Sequence, residues 1–171
     1  MMALTRNPHG IAQRSGRRVL RGFTLVELMV TISIMAILMM IAVPSFNEVT
    51  LSSKLTALAN NFVASAQFAR SEAIKRNATV TLSEASGGWQ NGWMVLRDDG
   101  AVVYTQKKLP DGFVMSGNVT SISFSATGVG ATLATLTVCR KTPSVGNQER
   151  VVSISATGRP SVARTTAGVC V

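Results

Sequence analysis

The sequence predicts an α+β protein in which a long N-terminal helix packs on an antiparallel β-sheet domain. Three observations predict this class: an apolar run near the N-terminus, a helical spacing of apolar residues directly after it, and short β-prone segments separated by turn signals in the second half. No helical pattern is interleaved with those segments, so the sheets are expected to be antiparallel. The 171 residues suffice for one domain with a core and one additional element.

The apolar run carries no charge from Leu28 to Val43. As a helix, the segment from Phe23 to Phe46 would be ~36 Å long at 1.5 Å per residue, which is enough to cross a bilayer core. A secretory signal peptide would place a small-residue cleavage site after its apolar region. Here Gly22 precedes the run and no Ala-x-Ala follows it, so cleavage after Gly22 would leave the apolar helix on the mature protein.

Much of the positive charge lies ahead of this run. The formal net charge is +9, but five arginines precede Phe23 with no acid among them, which leaves 12 basic and 8 acidic residues in the remainder. These arginines are Arg6, Arg14, Arg17, Arg18 and Arg21. A basic leader of this kind stays on the cytoplasmic side under the positive-inside rule. Overall basicity is therefore weak evidence for a nucleic-acid ligand.

An amphipathic helix is predicted directly after the apolar run. Apolar residues recur three or four positions apart, which places them on one face of a helix. They are Leu51, Leu55, Leu58, Phe62, Ala66, Ala69 and Ala73. We expect this face to be buried against a domain, and we expect the helix to end at Asn77, where β-prone residues follow.

Seven short strands are predicted beyond Ala78, with turn signals such as "DDG", "PDG" and "TGVG" between them. Their ranges are Thr79–Ser83, Gly92–Arg97, Val102–Gln106, Ser121–Ala126, Leu133–Arg140, Val151–Ala156 and Ser161–Arg164. In two of these strands the pairs Ile122/Phe124 and Val152/Ile154 alternate with serines, which indicates one buried and one wet face.

The stretch "RGFTLVELMVTISIMAILMMIAVPSF" at 21–46 resembles the class III signal of type IV pilins and type II secretion pseudopilins. The resemblance implies that a prepilin peptidase cuts between Gly22 and Phe23 and N-methylates Phe23. It also implies that Glu27 pairs with the N-terminal amine of an adjacent subunit, since a lone intramembrane carboxylate is costly and usually functional. Pro44 resembles the helix-kinking proline of these proteins. The alternative is an ordinary single-span anchor with a chance acid near its end.

Five blocks of the second half, in order, resemble the GspH/FimT group of minor pilins and pseudopilins: "FVASAQFARSEAIKRN", "GWQNGWMVLRDDG", "SISFSATG", "LTVC" and "VVSISATGRP". The resemblance implies a removed leader (1–22), a transmembrane assembly helix (23–46), its amphipathic half (47–77) and an antiparallel β domain (78–171). It further implies a single-pass subunit of the bacterial inner membrane, with its C-terminal domain in the periplasm. Such a subunit joins other pilins in a filament, at its tip. The sequence does not distinguish a type IV pilus from a type II secretion pseudopilus.

Catalysis is disfavoured by the residues themselves. The only histidine, His9, lies in the leader, so the mature chain has no imidazole base for a serine or cysteine triad. There is no Gly-rich phosphate loop with a lysine and no metal-ligand cluster. Asp98 and Asp99 adjoin Gly100 in an evident turn, where they need no acid–base role. We therefore expect neither enzymatic activity nor a cofactor or metal.

The two cysteines, Cys139 and Cys170, leave free thiols, a metal site and a disulfide open. With only two cysteines and no accompanying histidines, a zinc site is strongly disfavoured, because such sites use four cysteine or histidine ligands. In the oxidising compartment that the resemblance implies, a disulfide is the better prediction, and a C-terminal disulfide is common in pilin-like proteins. Closing a loop of about 32 residues would stabilise by ~3.5–4 kcal/mol in the chain-entropy model, less any strain.

A basic C-terminal surface is a candidate for contact with double-stranded DNA. FimT proteins that act in DNA uptake contact DNA through a C-terminal Gly-Arg-x-Arg segment, and "TGRPSVAR" here keeps only part of that pattern. The candidate contacts are Arg140, Lys141, Arg150, Arg159 and Arg164. The alternatives are a solvated basic strand pair or a surface that faces another subunit. Trp89 and Trp93 could stack on bases, although packing of a sheet against the helix is the favoured role.

Overall fold

The structure is a computed structural model that describes residues 22–129, 132–141 and 149–165. It divides into two compact units, one up to Val43 and one from Pro44 onward. In the described residues the first unit is apolar helix. The second unit contains the remaining helical residues and all of the β-strands.

The helix α1 spans Leu25–Arg76 and includes 52 residues. It ends where Asn77 adopts a left-handed backbone with φ 50°. The amide of Asn77 donates to the carbonyl of Ile74, and the amide of Ala78 donates to the carbonyl of Ala73. These two bonds satisfy two of the last four carbonyls of the helix in a Schellman arrangement. The predicted end of the helix is confirmed.

The predicted buried face of α1 is largely confirmed. Leu55, Phe62 and the alanines at 66, 69 and 73 are completely buried, whereas Leu51 and Leu58 are only partly covered. Ala59 is buried as well. Alanines on this face allow strands to approach the helix axis closely, and the larger Phe62 packs against Trp89 and Trp93.

In the described residues, eight strands form two four-stranded sheets in which every neighbouring pair is antiparallel. Sheet A has the order β3-β2-β1-β5 and sheet B the order β4-β6-β7-β8. The strands are β1 (Val80–Glu84), β2 (Trp93–Arg97), β3 (Val102–Gln106), β4 (Phe113–Gly117), β5 (Ser121–Phe124), β6 (Ala134–Arg140), β7 (Glu149–Ile154) and β8 (Pro160–Thr165). The α+β class predicted from the sequence is confirmed.

The strand Val102–Gln106 has its predicted bounds, whereas the other six predicted strands differ at one or both ends by one or two residues. β4 was not predicted, because its five residues follow the turn at Gly112 and show no clear alternation; its pairing with β6 is a long-range contact that local pattern does not reveal. β7 begins at Glu149 rather than Val151. Its first two residues, Glu149 and Arg150, are charged yet buried. Charged residues are rarely buried in a strand, so the sequence pattern did not include them.

One apolar core joins the buried face of α1 to both sheets. The ring of Phe62 meets Trp89 and Trp93 edge to face, with centroids 5.3 and 5.2 Å apart. Such aromatic pairs add about 0.5–1.5 kcal/mol each beyond area burial. Ile122, Phe124 and the Val152/Ile154 pair of β7 are buried as their alternation predicted.

Candidate functional site

The N-terminal junction lies just ahead of α1. Phe23 is 80% exposed, and a β-carbon added to Gly22 would meet no heavy atom within 4 Å. In the part of the chain that the structure describes, packing therefore places no steric requirement for glycine at position 22.

The first turn of α1 is capped from within the motif. The hydroxyl oxygen of Thr24 accepts a hydrogen bond of 3.2 Å from the backbone amide of Glu27, and its carbonyl accepts one of 3.1 Å from Leu28. Thr24 is thus the N-cap, and Thr-x-x-Glu has the spacing of a capping box. The N-cap role of Thr24 was not predicted from the sequence, although the Thr-x-x-Glu spacing indicates it. The Glu27 side chain is exposed at the positive end of the helix dipole, where a carboxylate is favoured.

α1 is the one helix in the described residues long and apolar enough to cross a membrane. In its 18-residue apolar window no residue is buried within the chain, and the mean hydropathy is 2.5. Side chains such as Met29, Ile37 and Ile41 are more than half exposed. By length and composition, this helix is suited to cross a membrane. Pro44 lies inside α1 and has no N–H for a helical hydrogen bond; a kink there stays a prediction.

Arg140 at the end of β6 is buried and bonded to the helix. It is 4% exposed, and its two terminal nitrogens donate to the two carboxylate oxygens of Glu48 at 3.3 and 3.2 Å. The Glu48 side chain is 53% exposed, so water reaches one side of the pair. The Nε of Arg140 is buried without a hydrogen-bond partner. Bidentate pairing of this kind fixes the helix to sheet B with defined geometry.

Arg150 in β7 makes a second link to the same helical face. It is 1% exposed; its Nε donates to the Thr56 hydroxyl at 3.2 Å and its Nη2 to the Ser52 hydroxyl at 3.0 Å. Burial, and secondarily the positive charge of Arg164, lowers the pKa of Arg150 from its ordinary value. An arginine still keeps its proton at any physiological pH. Glu48, Ser52 and Thr56 follow each other at four-residue spacing, and the sequence reading missed all three.

The strand register places four cations at one end of sheet B. Val138 pairs with Arg150, and Arg150 pairs with Arg164, so the chain beyond Val138 leads to Arg140 and Lys141 at the same end. We call these four residues the basic end of sheet B: Arg140, Lys141, Arg150 and Arg164. Lys141 and Arg164 are exposed, whereas the other two are internal.

The candidate DNA contacts therefore separate into two groups. Arg140 and Arg150 are buried against α1, where a phosphate cannot reach them, and we do not retain them as contacts. Lys141, Arg159 and Arg164 are exposed. Arg159 lies in the turn before β8, and five residues of extended chain put it ~16 Å from Arg164.

The two tryptophans are internal, with 2% and 1% exposure for Trp89 and Trp93. The Nε1 of Trp89 donates to the carbonyl of Val119 at 2.6 Å. Neither ring is available to stack on a base, so the packing role that the sequence favoured is the one observed.

The acidic turn is structural. A carboxylate oxygen of Asp99 accepts a hydrogen bond of 2.9 Å from the amide of Ala101, and the other lies 3.1 Å from Arg97. In residues 22–129, 132–141 and 149–165 no cluster of three potential metal ligands occurs.

Cys139 lies in β6, is completely buried and is disulfide-bonded. Cys170 lies outside the described residues. The pairing of these two cysteines stays a prediction.

Comparisons with known proteins agree with the fold and the motif. A family model described as type II transport protein GspH matches residues 58–158, and one described as prokaryotic N-terminal methylation motif matches residues 17–43. A search of curated protein sequences finds no match.

Solved structures of two proteins share the fold. The type IV minor pilin FimU of Pseudomonas aeruginosa is 22% identical with a TM-score of 0.58, over 65% of this chain and 89% of that one. The minor pseudopilin EpsH from the type 2 secretion system of Vibrio cholerae is 14% identical with a TM-score of 0.53, over 65% of this chain and 97% of that one. Since the GspH model spans more than half of the sequence, the chain belongs to the GspH family of minor pilins and pseudopilins.

Proposed function

We propose that a prepilin peptidase cuts this chain between Gly22 and Phe23 and methylates Phe23, and that the mature subunit assembles at the tip of a type IV pilus or a type II secretion pseudopilus. Its C-terminal domain lies in the periplasm before assembly. The observation that carries the proposal is Glu27, an exposed carboxylate in the first turn of α1, directly before the uncharged run from Leu28 to Val43.

The physical argument concerns the cost of that carboxylate in lipid. A charged side chain within hydrocarbon is unfavourable by at least about 2.5–3.5 kcal/mol at the bilayer centre and less near the interface. The N-terminal amine of an adjacent subunit would neutralise it. Glu27 therefore makes the helix favour a filament of like helices over free lipid, and the partners are other pilins of that filament.

Substitution of Glu27 tests the proposal. Because the Thr24 cap uses the backbone amide of residue 27, Glu27→Ala leaves the helix start intact. We expect the variant to remain in membranes but to be depleted at least tenfold from sheared filaments on immunoblots. Thr24→Ala, which removes the cap and keeps the carboxylate, is the matched control and should assemble. Normal assembly of Glu27→Ala would show that the carboxylate is no assembly contact.

The genes next to this one would assign the filament. Genes for other minor pilins and a large adhesin indicate a pilus, whereas secretin and secretion-ATPase genes indicate a secretion system.

A second candidate function is DNA binding in uptake, favoured by the exposure of Arg159 and Arg164. Contacts to phosphates would be independent of sequence, and the log–log dependence on salt would have a slope of about −0.9 per phosphate. Arg159→Ala and Arg164→Ala should each flatten that slope by about one unit. Fluorescence anisotropy of a labelled duplex with the detergent-solubilised chain measures it, between about 50 and 200 mM salt. Absence of binding at the lowest salt would eliminate this function.

A further inference from the structure

A groove between α1 and sheet A is open along the outer edge of that sheet. In the strand register, Tyr104 of β3 lies opposite Val95, and the next pair but one is Gln106 with Trp93. Val95 and Trp93 belong to the apolar core. Residues opposite each other in an antiparallel pair share a face, so Tyr104 and Gln106 lie on the helix-facing side of the sheet. β3 is the edge strand, so no strand of the described residues lies beyond it to close this layer.

Two aromatic rings give this groove its apolar character. We call it the Phe68/Tyr104 groove; it has a volume of about 310 Å³ and is lined by Asn61, Ala64, Ser65, Phe68, Tyr104 and Gln106. The two ring centroids lie 5.9 Å apart, and each of the two side chains is 37% exposed. The Tyr104 hydroxyl donates to Oε1 of Gln106 at 2.9 Å, so this polar group is satisfied within the chain. Partly exposed aromatic side chains of this kind are typical of a protein–protein contact.

Two lysines next to the groove determine which charge its occupant should carry. Lys107 directly follows Gln106 in the chain. Lys54 lies about two helical turns before Asn61, on the same face of α1. Both lysines are exposed, and neither has an ion pair within residues 22–129, 132–141 and 149–165. None of the lining residues is acidic. A carboxylate beside the apolar side chain of an occupant is therefore favoured electrostatically.

β3 is less suited to pairing with a strand of another protein. Its register with β2 shifts at Val103, which has no partner although the residues on either side of it do. A bulge at the edge of a sheet increases the local twist and disfavours the addition of a further strand. The groove therefore favours an inserted side chain over an added strand.

We propose that the Phe68/Tyr104 groove receives an apolar side chain of a different pilin subunit, and that a neighbouring carboxylate of that subunit pairs with Lys54 or Lys107. This proposal rests on the proposed assembly into a filament and names a surface through which the subunit binds its neighbour. All of the residues that form the site belong to the compact unit from Pro44 onward. A second copy of this chain is a poorer occupant, because the chain beyond Gly22 carries 12 basic and 8 acidic residues.

Site-specific photo-cross-linking of the full chain in cells tests the proposal. Phe68→p-benzoylphenylalanine places the reactive group in the groove, and mass spectrometry identifies the cross-linked peptides. We expect one site in a different pilin subunit, at an apolar residue with an aspartate or glutamate within about four positions, one helical turn. The matched control is Gln67→p-benzoylphenylalanine, whose exposed position on α1 is outside the groove lining. A cross-link to a second copy alone, to no pilin, or equally from position 67 would overturn the proposal.

A substitution that fills the groove tests its role in assembly. Ala64 is exposed, so Ala64→Phe occupies the groove without entering the core, and Gln67→Phe adds the same side chain outside it. We expect Ala64→Phe to lose the cross-link from position 68 and its place in sheared filaments by at least about tenfold, the effect of losing an interface anchor. Gln67→Phe should behave as wild type. Absence of the wild-type chain from filaments would contradict the proposed function, whereas equal incorporation of wild type and Ala64→Phe would contradict only the groove.

Reversal of charge tests the lysines separately. Lys54→Glu/Lys107→Glu should reduce the cross-link by at least about tenfold, because like charges then face each other across the contact. Substitution of the partner's mapped carboxylate by lysine should restore the cross-link in this variant. Lys141→Glu/Arg159→Glu is the matched control, since it changes the net charge equally at two exposed positions on sheet B or next to it. Loss of the cross-link in both double variants, or in neither, would overturn the pairing with a carboxylate.

Discussion

Glu48 is the residue on which the link between helix and sheet B most depends. It neutralises Arg140, whose guanidinium is internal and has one nitrogen without a partner. Removing one member of a buried ion pair leaves an uncompensated charge, which costs more than the pair itself contributes. The half-exposed position of Glu48 reduces that cost, because water can partly replace the carboxylate.

We predict that Glu48→Gln destabilises the chain by about 2 kcal/mol. Adding Arg140→Met should recover part of this loss, because the stranded cation is removed as well. Thermal unfolding in detergent, followed by circular dichroism, measures both. Asp111→Asn is the control: its carboxylate is 97% exposed, and loss of its pair with Lys108 should change little. Additive effects of Glu48→Gln and Arg140→Met would contradict a coupled pair.

A second prediction for a single residue concerns cleavage of the chain after Gly22. Gly22→Ala should block cleavage by the peptidase, because the added methyl meets no atom of this chain and acts only in the enzyme's site. Intact mass of the membrane-extracted protein should show a mature chain that starts at methylated Phe23 in the wild type and an uncut chain in the variant. Efficient cleavage of the variant, or a wild-type N-terminus beyond Val43, would contradict the prediction.

Among the elements, those with strong local periodicity were predictable and those defined by distant partners were not. The buried face of α1, its end at Asn77 and the strand Val102–Gln106 follow from spacing and turn residues alone. β4 exists because β6 pairs with it, and the paired residues, from Gly117↔Leu136 to Phe113↔Arg140, are too far apart in the sequence to carry a local signature of that pairing. The candidate site residues divide in the same way. The N-terminal motif is contiguous in the sequence, so it could be predicted. The burial of Arg140 and Arg150 could not, because their helical partners lie about 90 positions away in the sequence.

Gly92, which directly precedes β2 and faces the end of β3, makes a prediction at the element scale. Gly92 has φ 107°, and a β-carbon there would collide with the backbone carbonyl oxygen of Gln106. Gly92→Ala should therefore cost at least about 3 kcal/mol, since backbone has to move. Gly100→Ala is the matched control, with φ 79° and no heavy atom within 4 Å. It should cost only the ~1–2 kcal/mol of a left-handed alanine. Equal unfolding temperatures for the two variants would refute the clash.

The ion pair of Glu72 with Arg76 in the last two turns of α1 predicts that stability depends on pH. A hydrogen bond from Arg76 at 2.7 Å lowers the pKa of Glu72 from its ordinary value of 4.5, against the opposing effect of burial. A carboxylate whose pKa is lower in the folded chain than in the unfolded chain stabilises the fold at pH values above its unfolded-state pKa. That stabilisation is lost as the pH falls through the folded-state pKa. Glu72→Gln should thus reduce the unfolding temperature at pH 7 and make no difference well below pH 4. A difference that persists in acid would show a contribution unrelated to charge.

For the whole molecule, the predicted disulfide between Cys139 and Cys170 makes a prediction about stability. Cys139 is internal, and a bond to Cys170 would close the C-terminal segment on sheet B. We expect Cys170→Ala, Cys139→Ala and the double variant to lose similar stability, up to about 3.5–4 kcal/mol, because each removes the same bond. Non-reducing peptide mapping should recover one linked peptide that contains both residues. A free thiol at either position would refute the pairing.

The order of the strands along the chain determines when each sheet can form during folding. β4 belongs to sheet B but comes before β5, which completes sheet A. As the chain emerges from its N-terminus, sheet A has all of its strands by Phe124, yet β4 has no sheet partner until β6 arrives at Ala134–Arg140. During this interval the apolar side chains of β4 are uncovered and its edges are open to other chains. Stalled or truncated chains that end between β5 and β6 are therefore expected to aggregate more readily than chains that include β6.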